Sequence, residues 1–166
     1  MRAKSNSFSF GVQERQGFGE GTAIKDTAIR DAADFVRVNR AVLYELIDEA
    51  RATPELECCG LLAGRGGIIS IVLPAQNALN SATAYEIAPA ELFALFRRMR
   101  AERLDHLAIY HSHPRGENVP SPTDLASAFY PQAAYFIVSP LRDAPHPVRA
   151  FRIVDGRSRE LSLDVI

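Results

Sequence analysis

His111, Ser112, His113 and Pro114, followed after a short glycine-containing loop by Pro120-Ser121-Pro122-Thr123-Asp124, place two imidazoles, a carboxylate and a hydroxyl within fourteen residues. The apolar run that leads in, Leu107-Ala-Ile-Tyr-His111, reads as a buried strand. Alternate strand residues point to one face, so His111 and His113 aim at a common point. Ser121-Pro122-Thr123-Asp124 has the form of a helix start, with Ser as N-cap, Pro in the first turn and an acid three residues after the cap. A third ligand then comes from the first turn of a helix. Two histidines and one aspartate suit tetrahedral zinc with the fourth position left to water, the arrangement of catalytic rather than structural sites. Taken singly, each residue has an ordinary reading: Ser121 and Asp124 as caps, His111 as a satisfied core histidine, His113 as a loop residue before a proline. Their concurrence at ligand spacing is what selects zinc.

A hydrolytic zinc site also needs a group that moves protons without ligating, because the metal lowers the pKa of its water to about 7 but a proton must still reach the leaving group. Glu55 and Glu57 stand in Pro54-Glu-Leu-Glu-Cys-Cys-Gly60-Leu-Leu-Ala-Gly64, just before an apolar strand that ends in a glycine-rich turn. Glu57 is the better placed to reach the metal from a neighbouring strand. By itself this signal is weak, since a glutamate between a helix and a strand is ordinarily solvated and Glu is almost never fully buried unless paired.

The combined pattern, a Glu three positions before Gly-Leu-Leu, then His-Ser-His-Pro, then Pro-Ser-x-x-Asp, resembles the JAMM motif of the JAB/MPN zinc metalloproteases in their compact bacterial form, over about residues 37 to 155. Tyr85-Glu-Ile-Ala-Pro-Ala-Glu-Leu92, leading into a helix, is similar to the corresponding stretch of bacterial members that process sulfur-carrier proteins. The resemblance singles out Glu57 over Glu55. It implies a peptidase or isopeptidase that cuts after the C-terminal Gly-Gly tail of a ubiquitin-like or sulfur-carrier protein. It further implies one zinc held by His111, His113 and Asp124, with Glu57 carrying a proton from the zinc water to the leaving amine and Ser121 donating a hydrogen bond to the oxyanion. A donor aimed at a developing oxyanion is typically worth about 3 kcal/mol of barrier.

Two other readings come from different classes. MPN-type domains also serve as binding scaffolds once their metal residues are lost, but here every position of the motif is present. The cytidine deaminases share a similar fold, yet they carry a Pro-Cys-x-x-Cys pair. Here Cys58 and Cys59 are adjacent and precede the histidines.

The elements needed to hold this constellation are legible on both sides of it. Phe35 to Val38 reads as a short strand, and Asn39 as the N-cap of a helix running to about Ala52 with Val42, Leu43, Leu46 and Ile47 on one face. Cys58 to Ala63 and Ile68 to Leu73 form a hairpin around Gly64-Arg-Gly-Gly67. A second amphipathic helix spans Pro89 to Glu102, with Leu92, Leu95, Phe96 and Met99 inward and Arg97, Arg98, Arg100 and Arg103 as its polar side. After the site come a short helix over 122 to 129, strands over Ala134 to Val138 and Val148 to Val154, and an edge strand over Arg157 to Ile166. This order predicts an α/β (α+β) domain over residues 35–166, a curved mixed sheet flanked by helices. Residues 1 to 34 lack an apolar period and read as a flexible arm, with covering the substrate groove or contacting a second copy in a homodimer as its candidate roles.

Composition suits an ordinary single-domain enzyme: 166 residues, 47% hydrophobic, 23% charged and a net charge of −1. That balance gives no electrostatic case for nucleic acid or an anionic membrane. No apolar run approaches the ~20 residues that span a bilayer, and no secretory core follows the N-terminus, so a cytoplasmic location is expected. Cys58 and Cys59 are expected to be buried free thiols, and His106 and His146 surface or strand-end residues without a metal role.

Overall fold

Phe35–Val38 forms strand β1 and Arg40–Ala52 helix α1, in a computed structural model that describes residues 35–166. The arm expected over 1–34 lies outside the described residues. Strands β2 (Cys59–Arg65) and β3 (Ile68–Ala75) follow, then helix α2 (Pro89–Ala101), strand β4 (Asp105–Ser112), helix α3 (Pro122–Ala126) and strands β5 (Ala134–Val138), β6 (Val148–Val154) and β7 (Arg157–Val165). Asn39 holds the N-cap position in extended conformation, but its side chain makes no capping bond. Backbone bonds anchor the start of α1 instead, from Asn39 N–H to the Ile69 carbonyl and from Arg40 N–H to the Ile166 carbonyl, each 2.9 Å.

The β2–β3 hairpin is tighter than expected. Its turn is Gly66-Gly67, with φ of +59° and +76°, a left-handed region that glycine enters without steric cost. Gly64 is absorbed into β2 beside a register shift. Helix α3 is shorter than the predicted 122–129: it stops at Ala126, where Ser127 N–H closes back on the Thr123 carbonyl.

The strands form one mixed sheet in the order β1-β3-β2-β4-β5-β6-β7 that closes on itself. Closure overturns one expectation. β7 is not an edge strand, because besides its antiparallel pairing with β6 it runs parallel to β1 from Phe35↔Ser162 to Val38↔Val165. Pairing both sides of β7 removes an exposed edge.

Both faces of the sheet are covered. In β5 all five residues are buried, with Ala134, Phe136 and Val138 in the core that includes Val42 and Leu46 of α1, and Tyr135 and Ile137 in a second core with Met99, Leu92, Leu95 and Phe96 of α2. This accounts for strands that read as continuous apolar runs rather than alternating ones. Among the described residues no helix is long and apolar enough to cross a membrane.

Candidate metal centre

β4 ends where the chemistry begins. Its neighbour in the sheet is β2, antiparallel, with Cys59 opposite His111, and on the other side β5 runs parallel with Ile137 opposite His111. Beyond the last ladder pair, Ser112 N–H donates to the Cys58 carbonyl at 3.0 Å, and the Ser112 hydroxyl accepts from Cys58 N–H at 2.9 Å. Both bonds tie the segment carrying Glu57 to the segment carrying the histidines. His113 N–H continues onto the Val138 carbonyl at 2.9 Å, so the pair of imidazoles is held on both flanks.

His111 Nε2 and His113 Nε2 lie 3.0 Å apart. Asp124 Oδ1 is 3.2 Å from His111 Nε2, and Asp124 Oδ2 is 3.4 Å from His113 Nε2. Two ligands at about 2.0–2.1 Å from a tetrahedral zinc stand about 3.3 Å apart, and the separations of the two imidazole nitrogens from each other and from the two Asp124 oxygens are close to that spacing. His113 Nδ1 faces the Glu117 carbonyl at 2.8 Å. Donation of an Nδ1 proton there leaves the Nε2 lone pair for a metal. Asp124 is delivered by the capping box of α3: Ser121 N–H donates to Asp124 Oδ2 at 2.7 Å, and Asp124 N–H donates to the Ser121 hydroxyl at 3.2 Å. The donor set therefore fits zinc.

Electrostatics prepare the same arrangement. Complete burial pushes the His111 pKa down against the pull of Asp124, which keeps the ring neutral. Burial opposes charge on His113 too, but Asp124 and the Glu117 carbonyl outweigh it and raise its pKa. Although partial burial works against the charged form of Asp124, hydrogen bonds from both imidazoles hold its carboxyl well below the usual range. Glu57 is only 5% exposed, and its pKa is pushed up to about 7 by burial, with His113 lowering it and Asp124 raising it. Glu57, His113 and Ser121 line one small cavity together; Glu55 instead pairs with Arg115 at the surface.

Residues 39–154 match the family described as prokaryotic homologues of the JAB domain. The chain belongs to the prokaryotic JAB family. It is a hydrolase, with the JAB/MPN fold that the resemblance implied. This JAB chain is 35% identical over 141 residues to the CysO-cysteine peptidase of Mycobacterium tuberculosis, an alignment spanning 83% of this chain and 97% of that protein. It is 33% identical over 103 residues to the desampylase of Haloferax volcanii, covering 60% of this chain and 74% of that protein. Among solved structures, protein DSY2949 from Desulfitobacterium hafniense superposes with a TM-score of 0.71 at 28% identity, over 80% of this chain and 93% of that one. Membership of this family also removes the deaminase reading.

Several residues around the JAB site escaped the sequence reading. Tyr85 stacks on His111 with ring centroids 4.5 Å apart and planes at 21°; the stretch that contains it was legible, but not the ring it covers. Buried Asn77 donates to the carbonyls of Glu57 and Ala84 at 3.1 and 3.0 Å and accepts from the N–H groups of Leu79 and Glu86. It thereby fixes the segment from 77 to 86 against the backbone of Glu57. Its bond from the N–H two residues on is an Asx-turn, a signal available at the end of a strand.

The remaining expectations are simply placed. Cys58 and Cys59 are buried and free, with thiol pKa values pushed up by burial to about 11 and about 12, which leaves both unreactive. His106 lies near the start of β4, edge-on to Phe96 and Tyr130 at 5.4 and 5.5 Å, and is less exposed than a surface residue; His146 is exposed. Neither joins the ligand cluster.

Proposed function

We propose that this JAB protein is a cytoplasmic zinc peptidase that hydrolyses the bond after the C-terminal Gly-Gly of a sulfur-carrier or ubiquitin-like protein, with one zinc per chain held by His111, His113 and Asp124. The observation that carries the reading is the convergence of those three ligand atoms beside a cavity lined by Glu57 and Ser121. The names of the two relatives, a CysO-cysteine peptidase and a desampylase, support the substrate class.

Zinc, when bound, supplies an acidified water and polarises the scissile carbonyl. The chain's own residues do the rest. Glu57 lines the cavity beside the candidate ligands, where a carboxylate that does not ligate accepts a proton and returns it to the leaving amine. Ser121 Oγ accepts from the Asp124 N–H, which occupies a lone pair and leaves the hydroxyl proton for an oxyanion. Neutral His111 and ionised Asp124 present lone pairs rather than protons to a cation. A diglycine tail suits the site because glycine lets a backbone approach closely.

Incubation of the zinc-loaded protein with carrier proteins extended past Gly-Gly, followed by mass spectrometry, tests the reading. Cleavage after the second glycine is expected, and replacement of that glycine by valine or leucine abolishes it. Equal cleavage of the glycine and leucine forms would overturn the diglycine reading and leave a zinc peptidase of different specificity.

A further inference from the structure

We infer that Asn77 is a positioning residue for the hydrolysis, its one side-chain amide clamping the backbone of Glu57 to the 77–86 segment so that the proton carrier stays fixed beside the metal centre. The inference rests on the peptidase reading above and adds to it a residue outside the ligand set.

Glu57 stands just ahead of β2 and outside its ladder, and residues 52–56 before it are exposed. Strand pairing therefore does not hold it. Its N–H donates to the Ser81 carbonyl at 2.9 Å, and its carbonyl accepts from Asn77 Nδ2 at 3.1 Å. Both backbone groups of the proton carrier thus close on one short segment. The next residue, Cys58, is bonded twice to Ser112 between the two histidines, so Glu57 hangs between the strand that carries the ligands and the turn that Asn77 organises.

Asn77 is 8% exposed, and a buried amide must find partners for its N–H groups and for its carbonyl oxygen. Here all are met by backbone. Nδ2 donates to the Glu57 and Ala84 carbonyls at 3.1 and 3.0 Å, with the Ser81 carbonyl at 3.4 Å, while Oδ1 accepts from the Leu79 and Glu86 N–H groups at 3.0 and 3.3 Å. Carbonyls on one side and N–H groups on the other fix which way the amide points. Only a short side chain with a donor end and an acceptor end satisfies both. Aspartate keeps the acceptor and loses the donor, and so turns a carboxylate toward the Glu57 carbonyl.

The segment so held faces the reacting space on two sides. Ala82 and Thr83 line the small cavity that contains Glu57, His113 and Ser121; Ala84, Tyr85 and Glu86 line a larger, mostly apolar groove that reaches Asp124. Asn77 lines neither, so it acts through what it holds. A proton carrier must stay within hydrogen-bond reach of the proton it moves, and a displacement of about 1 Å costs on the order of 10²-fold in rate. Loosening this clamp therefore reaches the chemistry as well as the fold.

The test measures kcat and KM for a carrier protein extended past Gly-Gly with the zinc-loaded full-length wild type, Asn77→Asp, Glu57→Ala and the double variant. Asn77→Asp is expected to lower kcat by about 10²-fold, with KM within about twofold and zinc content unchanged. In the Glu57→Ala background, where the group being positioned is gone, the same substitution is expected to cost nothing further. A purely structural role would lower kcat by the same factor in both backgrounds. Asn77→Ser, whose hydroxyl still accepts from the N–H two residues on, gives the reading should Asn77→Asp not fold, and the same dependence on Glu57 is expected of it. A loss that multiplies with that of Glu57→Ala, or a kcat within about twofold of the wild type in the folded Asn77 variants, overturns the positioning role alone. Absence of cleavage by the wild type overturns the peptidase reading beneath it as well.

Discussion

Tyr110 and His111 are neighbours on β4 that point to opposite faces of the sheet, and each carries a polar group into the interior with under 2% of its surface exposed. Their surroundings differ in one respect. The Tyr110 hydroxyl donates to Glu49 Oε2 of α1 at 2.6 Å, and burial raises the pKa values of both groups, so the shared proton stays in place. Gly60 makes room for this ring: a Cβ there would stand 2.6 Å from Tyr110. His111, by contrast, has no hydrogen-bond partner for its buried Nδ1 among the described residues, and its Nε2 faces another imidazole and a carboxylate. A polar pair that serves structure is completed within the chain, because an unmet buried group costs about 1–3 kcal/mol. The cluster on the other face instead turns two imidazole nitrogens and a carboxylate toward one another.

The comparison is broken most severely by removing a ligand. His113→Ala or Asp124→Ala is expected to drop zinc from about one per chain to near zero in elemental analysis and to abolish peptidase activity. Full zinc occupancy in either variant would show that the cluster is not the metal site. Glu57→Ala comes next. Zinc is retained, and kcat falls by about 10²–10⁴-fold, the usual range for losing a general acid–base. Glu55→Ala stays close to the wild type in the same assay; if Glu55→Ala loses activity and Glu57→Ala does not, the proton carrier has been misassigned.

On the opposite face, Tyr110→Phe leaves Glu49 without its donor. Denaturant unfolding should then report a loss of about 1–3 kcal/mol with zinc content unchanged. A variant that unfolds normally but binds zinc poorly would dissolve the distinction between the two faces.

The smallest effect concerns pH. Burial raises the Glu57 pKa from 4.5 to about 7, so between those values the metal-free folded state binds more protons than the unfolded state. Stability from this group is therefore full below about pH 4.5 and is lost as pH rises through 7. Glu57→Gln removes the penalty. The metal-free variant should melt a few degrees above the metal-free wild type at pH 8 and together with it at pH 4, as measured by scanning calorimetry. Equal melting temperatures at pH 8 would mean that Glu57 is not held out of water.

How far the sequence reached depended on the range of the interaction concerned. His111, His113 and Asp124 were legible because strand alternation and a helix cap are local geometries written within a few residues. The strands β5 and β6 emerged with the expected bounds for the same reason, whereas the role of β7 did not. Its second partner, β1, lies more than a hundred residues away in the chain, and a terminal strand shows the same pattern whether or not another strand covers it. Tyr85 and Asn77 belong to the same class of omission, since an aromatic or an amide in a loop acquires meaning only from the ring or carbonyl it meets.

The sequence by itself pointed to His111, His113 and Asp124 as candidate ligands, to the local elements that present them and, through its likeness to known motifs, to Glu57 rather than Glu55. Only the tertiary structure decided that Glu57 is buried with a pKa near 7 while Glu55 sits at the surface beside Arg115. The physical reason is that dihedral preferences and hydrogen-bond spacing act between near neighbours in the chain. Desolvation and charge depend on which distant segments close over a group, here the 77–86 segment and the His113–Glu117 turn.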